Sequence, residues 1–136
     1  MKILIVEDDF ISRKVLMRML TKIGHCDIAA NGFEALEAFV LALNSEEYYD
    51  LITLDIMMPE LSGMEVLKKI RHIEAERELP ATRIIMTTAL KDSENVMTAF
   101  KNQCDGYICK PIIYDKLSQK LSEMGLLPAK NEIVNL

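Results

Sequence analysis

Chemically active side chains stand at the ends of successive short apolar runs in this 136-residue sequence. In chain order they are Glu7, Asp8, Asp55, Thr88 and Lys110. Each run has the length of a β-strand, and the carboxyl ends of neighbouring parallel strands meet at the edge of a sheet where open α/β folds place their sites. The sequence therefore predicts a crevice with three carboxylates, a hydroxyl and an ammonium, which is the inventory needed to accept a phosphoryl group.

Three carboxylates in one crevice repel each other. At ~4 Å and an effective dielectric constant of about 20, each charged pair costs on the order of 4 kcal/mol, so the cluster must protonate or hold a cation. Oxygen ligands suit Mg²⁺, which usually takes one or two protein carboxylates and leaves room for phosphate oxygens; Mn²⁺ is the alternative. We expect Asp8 and Asp55 to be direct ligands and Glu7 to act through a water molecule.

Asp55 is the predicted nucleophile. Its carboxylate is ionised at neutral pH and can attack a phosphorus atom that already carries a good leaving group, so no general base is needed. Phosphoryl transfer asks a protein mainly for positioning and charge neutralisation. The cation, the Lys110 ammonium and the Thr88 hydroxyl would bind the peripheral phosphoryl oxygens.

The elements that must position these groups follow from periodicity. Short apolar runs alternate with stretches whose apolar residues recur at helical spacing, five of each, which predicts repeated βα units around a mostly parallel sheet. The first helix is predicted from apolar residues that fall four apart, with Leu16 and Leu20 beside them; they are Ile11, Val15, Met19 and Ile23. Gly24 is expected to end this helix and Gly125 the last one.

Helix starts carry their own signals. Asn31 with Glu34, and Ser62 with Glu65, match the capping box in which a side chain binds the exposed backbone N–H groups of the first turn. A weak strand is expected around residues 27–30, between the first two helices. Asp9 follows the acidic pair, and we interpret it as a helix N-cap or first-turn acid.

Length and composition limit the class of protein. Half of the residues are hydrophobic and the formal net charge is −5, which fits one folded domain with a substantial core. No apolar stretch approaches the ~20 residues of a membrane helix, so we expect a cytoplasmic protein with no membrane insertion. The mild acidity argues against nucleic acid as a direct partner. Three cysteines without metal-ligand spacing are expected to be reduced thiols: Cys26, Cys104 and Cys109.

Four motifs in this order resemble those of response-regulator receiver domains of two-component phosphorelays. The first is Ile-Val-Glu-Asp at residues 5–8. The second matches D-x-x-M-P-x-x-x-G-x-E at residues 55–65, the third is Thr-Thr-Ala at 87–89, and the fourth is Tyr-Ile-Cys-Lys-Pro at 107–111. The resemblance extends from about residue 2 to residue 124, so residues 1–124 are expected to form the receiver domain and residues 125–136 a C-terminal tail with no output domain.

The resemblance implies a doubly wound, flavodoxin-like (βα)5 fold with the parallel sheet in order 2-1-3-4-5 and helices on both faces. It implies that Asp55 receives its phosphoryl group from a histidine kinase or a histidine phosphotransfer protein. It also implies that the Met57 backbone carbonyl completes the metal site, that the Lys110–Pro111 peptide is cis, and that Thr88 and Tyr107 form the switch. Thr87 is expected to point to the side opposite Thr88, as a packed β-branched residue.

A phosphoryl group adds charge and acceptor oxygens, so it can draw in the Thr88 hydroxyl and favour a minor conformation. By family resemblance, we expect the surface of helix 4, strand 5 and helix 5 to change. That surface would serve an unidentified downstream protein target, with homodimerisation through it as a further expectation. Apolar Met57 and Leu90 stand where polar groups could orient an attacking water, which predicts slow self-dephosphorylation and no other enzymatic activity.

Two alternatives use the same residues differently. A phosphohydrolase of the haloacid-dehalogenase type also combines an aspartate nucleophile, a threonine or serine, a lysine and Mg²⁺, but it needs a second aspartate two residues after the first, where this chain has Met57. An interaction module of the same fold that works without phosphate would lose part of the acidic pocket, and all five groups are present here.

Overall fold

The computed structural model describes residues 1–89 and 93–127, in which strands and helices alternate along the chain. The strands are β1 (Lys2–Val6), β2 (His25–Ala29), β3 (Leu51–Asp55), β4 (Arg83–Thr88) and β5 (Gly106–Cys109). The helices are α1 (Phe10–Leu20), α2 (Gly32–Asn44), α3 (Gly63–Glu76), α4 (Ser93–Lys101) and α5 (Tyr114–Glu123). Each strand is thus followed by a helix, as the periodicity predicts.

The five strands form one parallel sheet in the order β2-β1-β3-β4-β5. This confirms the predicted doubly wound, flavodoxin-like topology. The order reverses between β1 and β3, and in open α/β sheets the crevice at such a reversal, outside the carboxyl ends of the strands, is where ligands bind. The topology alone therefore selects the edge of the sheet at which Val6, Asp55 and Thr88 end their strands.

The core has two layers, one on each face of the sheet. On one face, which we call the α1–α5 face, alternate strand residues pack against buried side chains of α1 and α5; they include Ile3, Ile5, Leu51, Ile85 and Ile108 with Leu16, Leu20, Leu117 and Leu121. On the opposite face, Leu4, Ile52, Leu54 and Met86 pack against α2 and α3. Successive strand residues point to opposite faces, so these two clusters fix the side on which each site residue lies.

The predicted helix caps are present. The Asp9 carboxylate accepts the Ser12 backbone N–H at 2.8 Å and caps α1. Asn31 accepts the Glu34 N–H at 2.8 Å at the start of α2, and Ser62 accepts the backbone N–H at the third position of α3 at 3.3 Å. Because each cap depends only on residues three apart, sequence suffices to place these helix starts.

Only some of the apolar residues that predict α1 are buried. Ile11 and Val15 are exposed, at 65% and 37% of their surface, whereas Leu16 and Leu20 are fully buried. The two lines of residues lie about 100° apart around a helix, and α1 turns the second one toward the sheet. The helix also ends at Leu20, and the chain forms a turn before Gly24, so that glycine follows the turn instead of ending the helix.

Other expectations from the sequence concern the end of α5, the cysteines and membrane helices. Gly125 has a φ of +76° directly after α5, the left-handed conformation in which glycine commonly follows a helix. All three cysteines are free thiols. In the described part of the chain, no helix is both long and apolar enough to cross a membrane. The cytoplasmic location stays a prediction, and the tail beyond residue 127 lies outside the described residues.

A buried ion-pair network ties α3 to the opposite, amino-terminal edge of the sheet. Glu74 is 3% exposed and accepts from the Arg71 guanidinium at 2.8 Å and from the Thr82 N–H at 2.6 Å. Arg71 also donates to the Gln103 carbonyl at 3.0 Å and to Asp105 at 3.2 Å. Sequence reasoning missed this network, because its members are scattered over α3 and two loops.

We expect Arg71→Met to lower the free energy of unfolding by about 3 kcal/mol, since removing one partner of a buried pair leaves an uncompensated charge. Urea unfolding monitored by circular dichroism measures this. Arg83→Met is the matched control. That guanidinium is half exposed and pairs with Asp105 at 3.4 Å, so its loss should cost under about 1 kcal/mol. Equal losses in the two variants would contradict the assignment.

Candidate functional site

Three carboxylates from two strand ends converge at the carboxyl edge of the sheet. Glu7 and Asp8 follow β1, and Asp55 is the last residue of the neighbouring β3. One oxygen of each lies within 4.8 Å of the others. Glu7 is fully buried, Asp55 is 3% exposed, and Asp8 is open to solvent, so the cluster is closed below and accessible from above.

Lys110 reaches this cluster from the far side of the sheet. It follows β5, and β4 stands between β5 and β3. Its Nζ atom lies 2.8 Å from Glu7 Oε2 and 3.4 Å from Asp55 Oδ2. The peptide between Lys110 and Pro111 is cis, as the family resemblance implies. The structure thus brings the ammonium and the two buried carboxylates together.

The loop after β1 is fixed by its own hydrogen bonds. Glu7 Oε1 accepts the Asp9 N–H at 3.1 Å, and the Glu7 carbonyl accepts from the Arg13 guanidinium at 3.0 Å. These contacts orient Glu7 with one oxygen toward the loop and the other toward Lys110. Arg13 was not identified from sequence. An arginine six residues after a strand-end acid, on the first turns of the next helix, is the pattern that could have indicated it.

The loop after β3 is held equally closely. The Ile56 N–H donates to the Thr87 carbonyl at 2.9 Å, and the Gly63 N–H donates to the Ile56 carbonyl at 2.9 Å. The Met57 N–H approaches Asp55 Oδ1 at 3.3 Å. Met57 itself is 63% exposed at the rim, and the role of its backbone carbonyl as a ligand stays a prediction.

The electrostatics of the cluster match the predicted repulsion. Burial and the neighbouring Glu7 charge raise the pKa of Asp55 from 3.8 to about 7, against the opposing charge of Lys110. Without a cation, Asp55 is therefore only partly ionised at neutral pH, which corrects the expectation of full ionisation. Burial acts to lower the pKa of Lys110, but its hydrogen bonds and ion pairs with Glu7 and Asp55 outweigh this and raise it. A crowded set of carboxylate oxygens with one member driven toward protonation is chemically suited to a hard divalent cation.

The two threonines at the end of β4 lie on opposite faces of the sheet. Thr87 is the register partner of Asp55 and follows Ile85 on the α1–α5 face. Thr87 therefore lies on the face opposite Thr88, as strand alternation predicts, and it shares that face with Asp55 because paired residues of parallel strands point the same way. Thr88 is the last residue of β4 and is 2% exposed. Its predicted role as the phosphoryl-binding hydroxyl stays a prediction.

The remaining predicted residues are placed as follows. Tyr107 lies on β5, the edge strand, and is 38% exposed, so its ring is accessible at the surface. Leu90 lies outside the described residues. On α4, Ala99 is fully buried.

Comparison with known proteins gives consistent matches across nearly the whole chain. The family described as "Response regulator receiver domain" matches residues 3–122. A chemotaxis protein CheY homologue from Campylobacter jejuni is 36% identical over 124 residues, covering 91% of this chain and 92% of that protein. Hybrid signal transduction histidine kinase L from Dictyostelium discoideum is 34% identical over 125 residues, but the chain spans only 7% of that kinase's length.

Solved structures of receiver domains also match this chain. The receiver domain of the histidine kinase CKI1 from Arabidopsis thaliana, complexed with Mg²⁺ and BeF₃⁻, superposes with a TM-score of 0.80 at 26% identity, over 91% of this chain and 89% of that one. A co-crystal structure of the Saccharomyces cerevisiae phosphotransfer protein Ypd1 with the receiver domain of Ssk1 matches with a TM-score of 0.78 at 30% identity, over 96% and 94% of the two chains.

Proposed function

The chain belongs to the response-regulator receiver family, and from this premise we propose that it accepts a phosphoryl group on Asp55. The observation that carries the proposal is the convergence of the three carboxylates with the Lys110 ammonium at 2.8 and 3.4 Å. Because these groups come from three different strands, ordinary packing of one element does not account for their meeting. The need to neutralise charge around a nucleophilic carboxylate accounts for their convergence.

In the proposed step, a carboxylate oxygen of Asp55 attacks the phosphorus of a phosphohistidine. The new O–P bond forms as the N–P bond breaks, and the electron pair of that bond leaves on the imidazole nitrogen. Asp8 and Asp55 would hold Mg²⁺ directly, with Glu7 acting through water and the Met57 carbonyl completing the site. The ion supplies charge neutralisation for the phosphoryl oxygens. Lys110 donates to one of those oxygens.

The proposed output is a shift between two conformations. Differential binding of the phosphoryl group typically supplies a few kcal/mol, enough to change populations without refolding the domain. The Thr88 hydroxyl would donate a hydrogen bond to the phosphoryl group, and the half-exposed Tyr107 would move inward. Thr88 ends β4, and Tyr107 lies on the neighbouring β5. The α4–β5–α5 surface is therefore proposed to bind the downstream protein target, with dimerisation of two copies through it as an alternative use.

The proposed phosphodonors are a histidine kinase or a histidine phosphotransfer protein. Two comparisons support this: matched relatives are histidine kinases, and one matched structure is a complex of a receiver domain with a phosphotransfer protein. The donor would reach Asp55 from the solvent-exposed side of the cluster, where Asp8 lies. Residues 1–124 are proposed to be sufficient for the phosphoryl transfer reaction.

A small acyl-phosphate donor with Mg²⁺ tests the proposal. Intact mass spectrometry should detect a single added phosphoryl group that is stable in acid, labile to hydroxylamine, and absent both in Asp55→Asn and in the presence of a chelator. Continuous release of inorganic phosphate from ordinary phosphate esters would instead support the hydrolase alternative. The absence of both added mass and released phosphate in every condition would contradict both functions.

The phosphorylated protein is expected to be long-lived, because exposed, apolar Met57 offers no group to orient an attacking water. Replacing it with a polar side chain, Met57→Asn, should increase the rate of phosphoryl loss several-fold. Met57→Leu is the matched control and should leave the rate unchanged. The measurement is the decay of the phosphorylated mass after the donor is removed. Equal decay rates in wild type and both variants would contradict this prediction.

A further inference from the structure

Three buried side-chain oxygens in the described part of the chain accept no hydrogen bond that meets ordinary geometry: Glu7 Oε2, Thr53 Oγ1 and Thr87 Oγ1. Glu7 Oε2 has the Lys110 ion pair at 2.8 Å, which leaves the two threonine hydroxyls. Both threonines are 1% exposed. An unsatisfied hydroxyl in this position costs about 1–3 kcal/mol, so the protein would be more stable with valine at either site.

The two hydroxyls differ in their surroundings. Thr53 lies between Ile5 and Ile85 on the α1–α5 face, with apolar neighbours on both adjoining strands. Thr87 is one register level closer to the carboxyl edge, between Asp55 on β3 and Ile108 on β5. Only the second is therefore level with the reacting groups.

Strand order puts β4, the strand of Thr87, between Lys110 and the carboxylates that it contacts. Lys110 directly follows β5, two residues after Ile108. Its Nζ nevertheless contacts Asp55 on β3. Neighbouring strands are about 4.8 Å apart, so the Lys110 side chain must cross β4 to reach Asp55, and the β4 residue paired with Asp55 is Thr87.

We propose that Thr87 is a positioning residue that holds the Lys110 ammonium when a phosphoryl group is present on Asp55. The ammonium has three N–H donors, and in the present structure it extends to Glu7 and Asp55. Once these carboxylates take up Mg²⁺, the ammonium is drawn back toward the phosphoryl oxygens above β4. There the Thr87 hydroxyl accepts one of its donors and fixes its direction.

This inference rests on the proposed function and explains a cost that stability alone does not. The hydroxyl is unpaired in the resting protein and gains its partner only in the phosphorylated form. It therefore contributes a differential interaction between the two states, which is what a ligand-driven shift requires. Thr53 carries the same unpaired hydroxyl among apolar neighbours, so the inference rests on the position of Thr87 beside Asp55 in the strand register as well as on the missing partner.

Beryllofluoride, which mimics a bound phosphoryl group, is the probe, titrated into full-length protein at saturating Mg²⁺. Thr87→Val should weaken its binding by about 5- to 10-fold, the equivalent of one hydrogen bond, and Thr87→Ser should restore it. Mg²⁺ affinity and the urea midpoint of the ion-free protein should not fall. Thr53→Val, the matched control, should leave beryllofluoride binding unchanged.

A double-mutant cycle with Lys110→Met identifies the partner. If Thr87 acts through Lys110, then Thr87→Val should have no further effect in that background. Additive losses, or equal binding by wild type and Thr87→Val, would overturn the inference while leaving the proposed function intact. Failure of wild type to bind beryllofluoride with Mg²⁺ at all would instead count against the proposed function.

Discussion

Gly63→Ala is expected to lower the free energy of unfolding by about 3 kcal/mol or more, at the upper end of overpacking costs. A Cβ at this position would overlap the Asp55 backbone oxygen and lie 2.8 Å from the Asp55 carbonyl carbon and 2.9 Å from Ile56 Cα. Backbone atoms cannot move aside as a flexible side chain can. The first turn of α3 must then shift, and Asp55 with it, so Mg²⁺ affinity should fall as well.

The sign of this effect separates sterics from helix propensity. Gly63 is the first residue of α3, and propensity alone would make alanine up to about 1 kcal/mol more favourable there. Gly106→Ala is the control, because the nearest atoms to its added Cβ belong to the flexible Lys120 side chain, at 3.1 Å and beyond. Urea unfolding and Mg²⁺ titration of both variants show whether steric overlap or helix propensity dominates. A stabilised Gly63→Ala would refute the close approach of α3 to the acceptor.

Asp55→Asn should stabilise the ion-free protein by on the order of 1–3 kcal/mol at pH 8. The pKa of Asp55 is raised from 3.8 to about 7 in the folded state, so its stabilising contribution is greatest below pH 4 and is lost as the pH rises through 7. Asparagine keeps the shape without the charge. The advantage of the variant should therefore be small at pH 4, grow toward pH 7 and level off above it.

Mg²⁺ should reverse the comparison. Saturating ion should stabilise wild type in proportion to the logarithm of its concentration above Kd, with little effect on Asp55→Asn. Glu37→Gln, an exposed carboxylate on α2, controls for the change in net charge and should leave unfolding unaltered at both pH values. If Asp55→Asn is destabilised at pH 8 without Mg²⁺, then the carboxylates do not repel as described.

Features that depend on residues close together in the chain could be predicted from the sequence, and they account for much of the agreement between prediction and structure. The caps at Asp9, Asn31 and Ser62 each use groups three residues apart, and strand-end residues follow directly from the apolar runs. Given parallel strands, the convergence of Glu7, Asp8 and Asp55 is then a matter of topology. The motifs shared with receiver domains supplied the strand order that periodicity alone does not.

What sequence could not supply are the features decided by packing between elements. Two adjacent lines of apolar residues ran along α1, and only docking against the sheet selected Leu16 and Leu20 over Ile11 and Val15. The sequence around Glu74 is that of an ordinary exposed helix, and only the folded structure brings in the Thr82 backbone N–H from a loop to bind this buried carboxylate.

Thr87 illustrates the same limit at the site itself. Alternation correctly separated it from Thr88, but assigning faces requires the pairing register, and the register places it beside Asp55.

Locating the transferred phosphoryl group within the chain tests the central claim most directly. Protein treated with Mg²⁺ and an acyl-phosphate donor is reduced with borohydride, which converts an aspartyl phosphate to homoserine, and its peptides are then sequenced by mass spectrometry. The account predicts homoserine at position 55 and at no other acidic residue. Homoserine at position 8 instead, or unmodified aspartate at position 55 in protein that has gained phosphoryl mass, would contradict it.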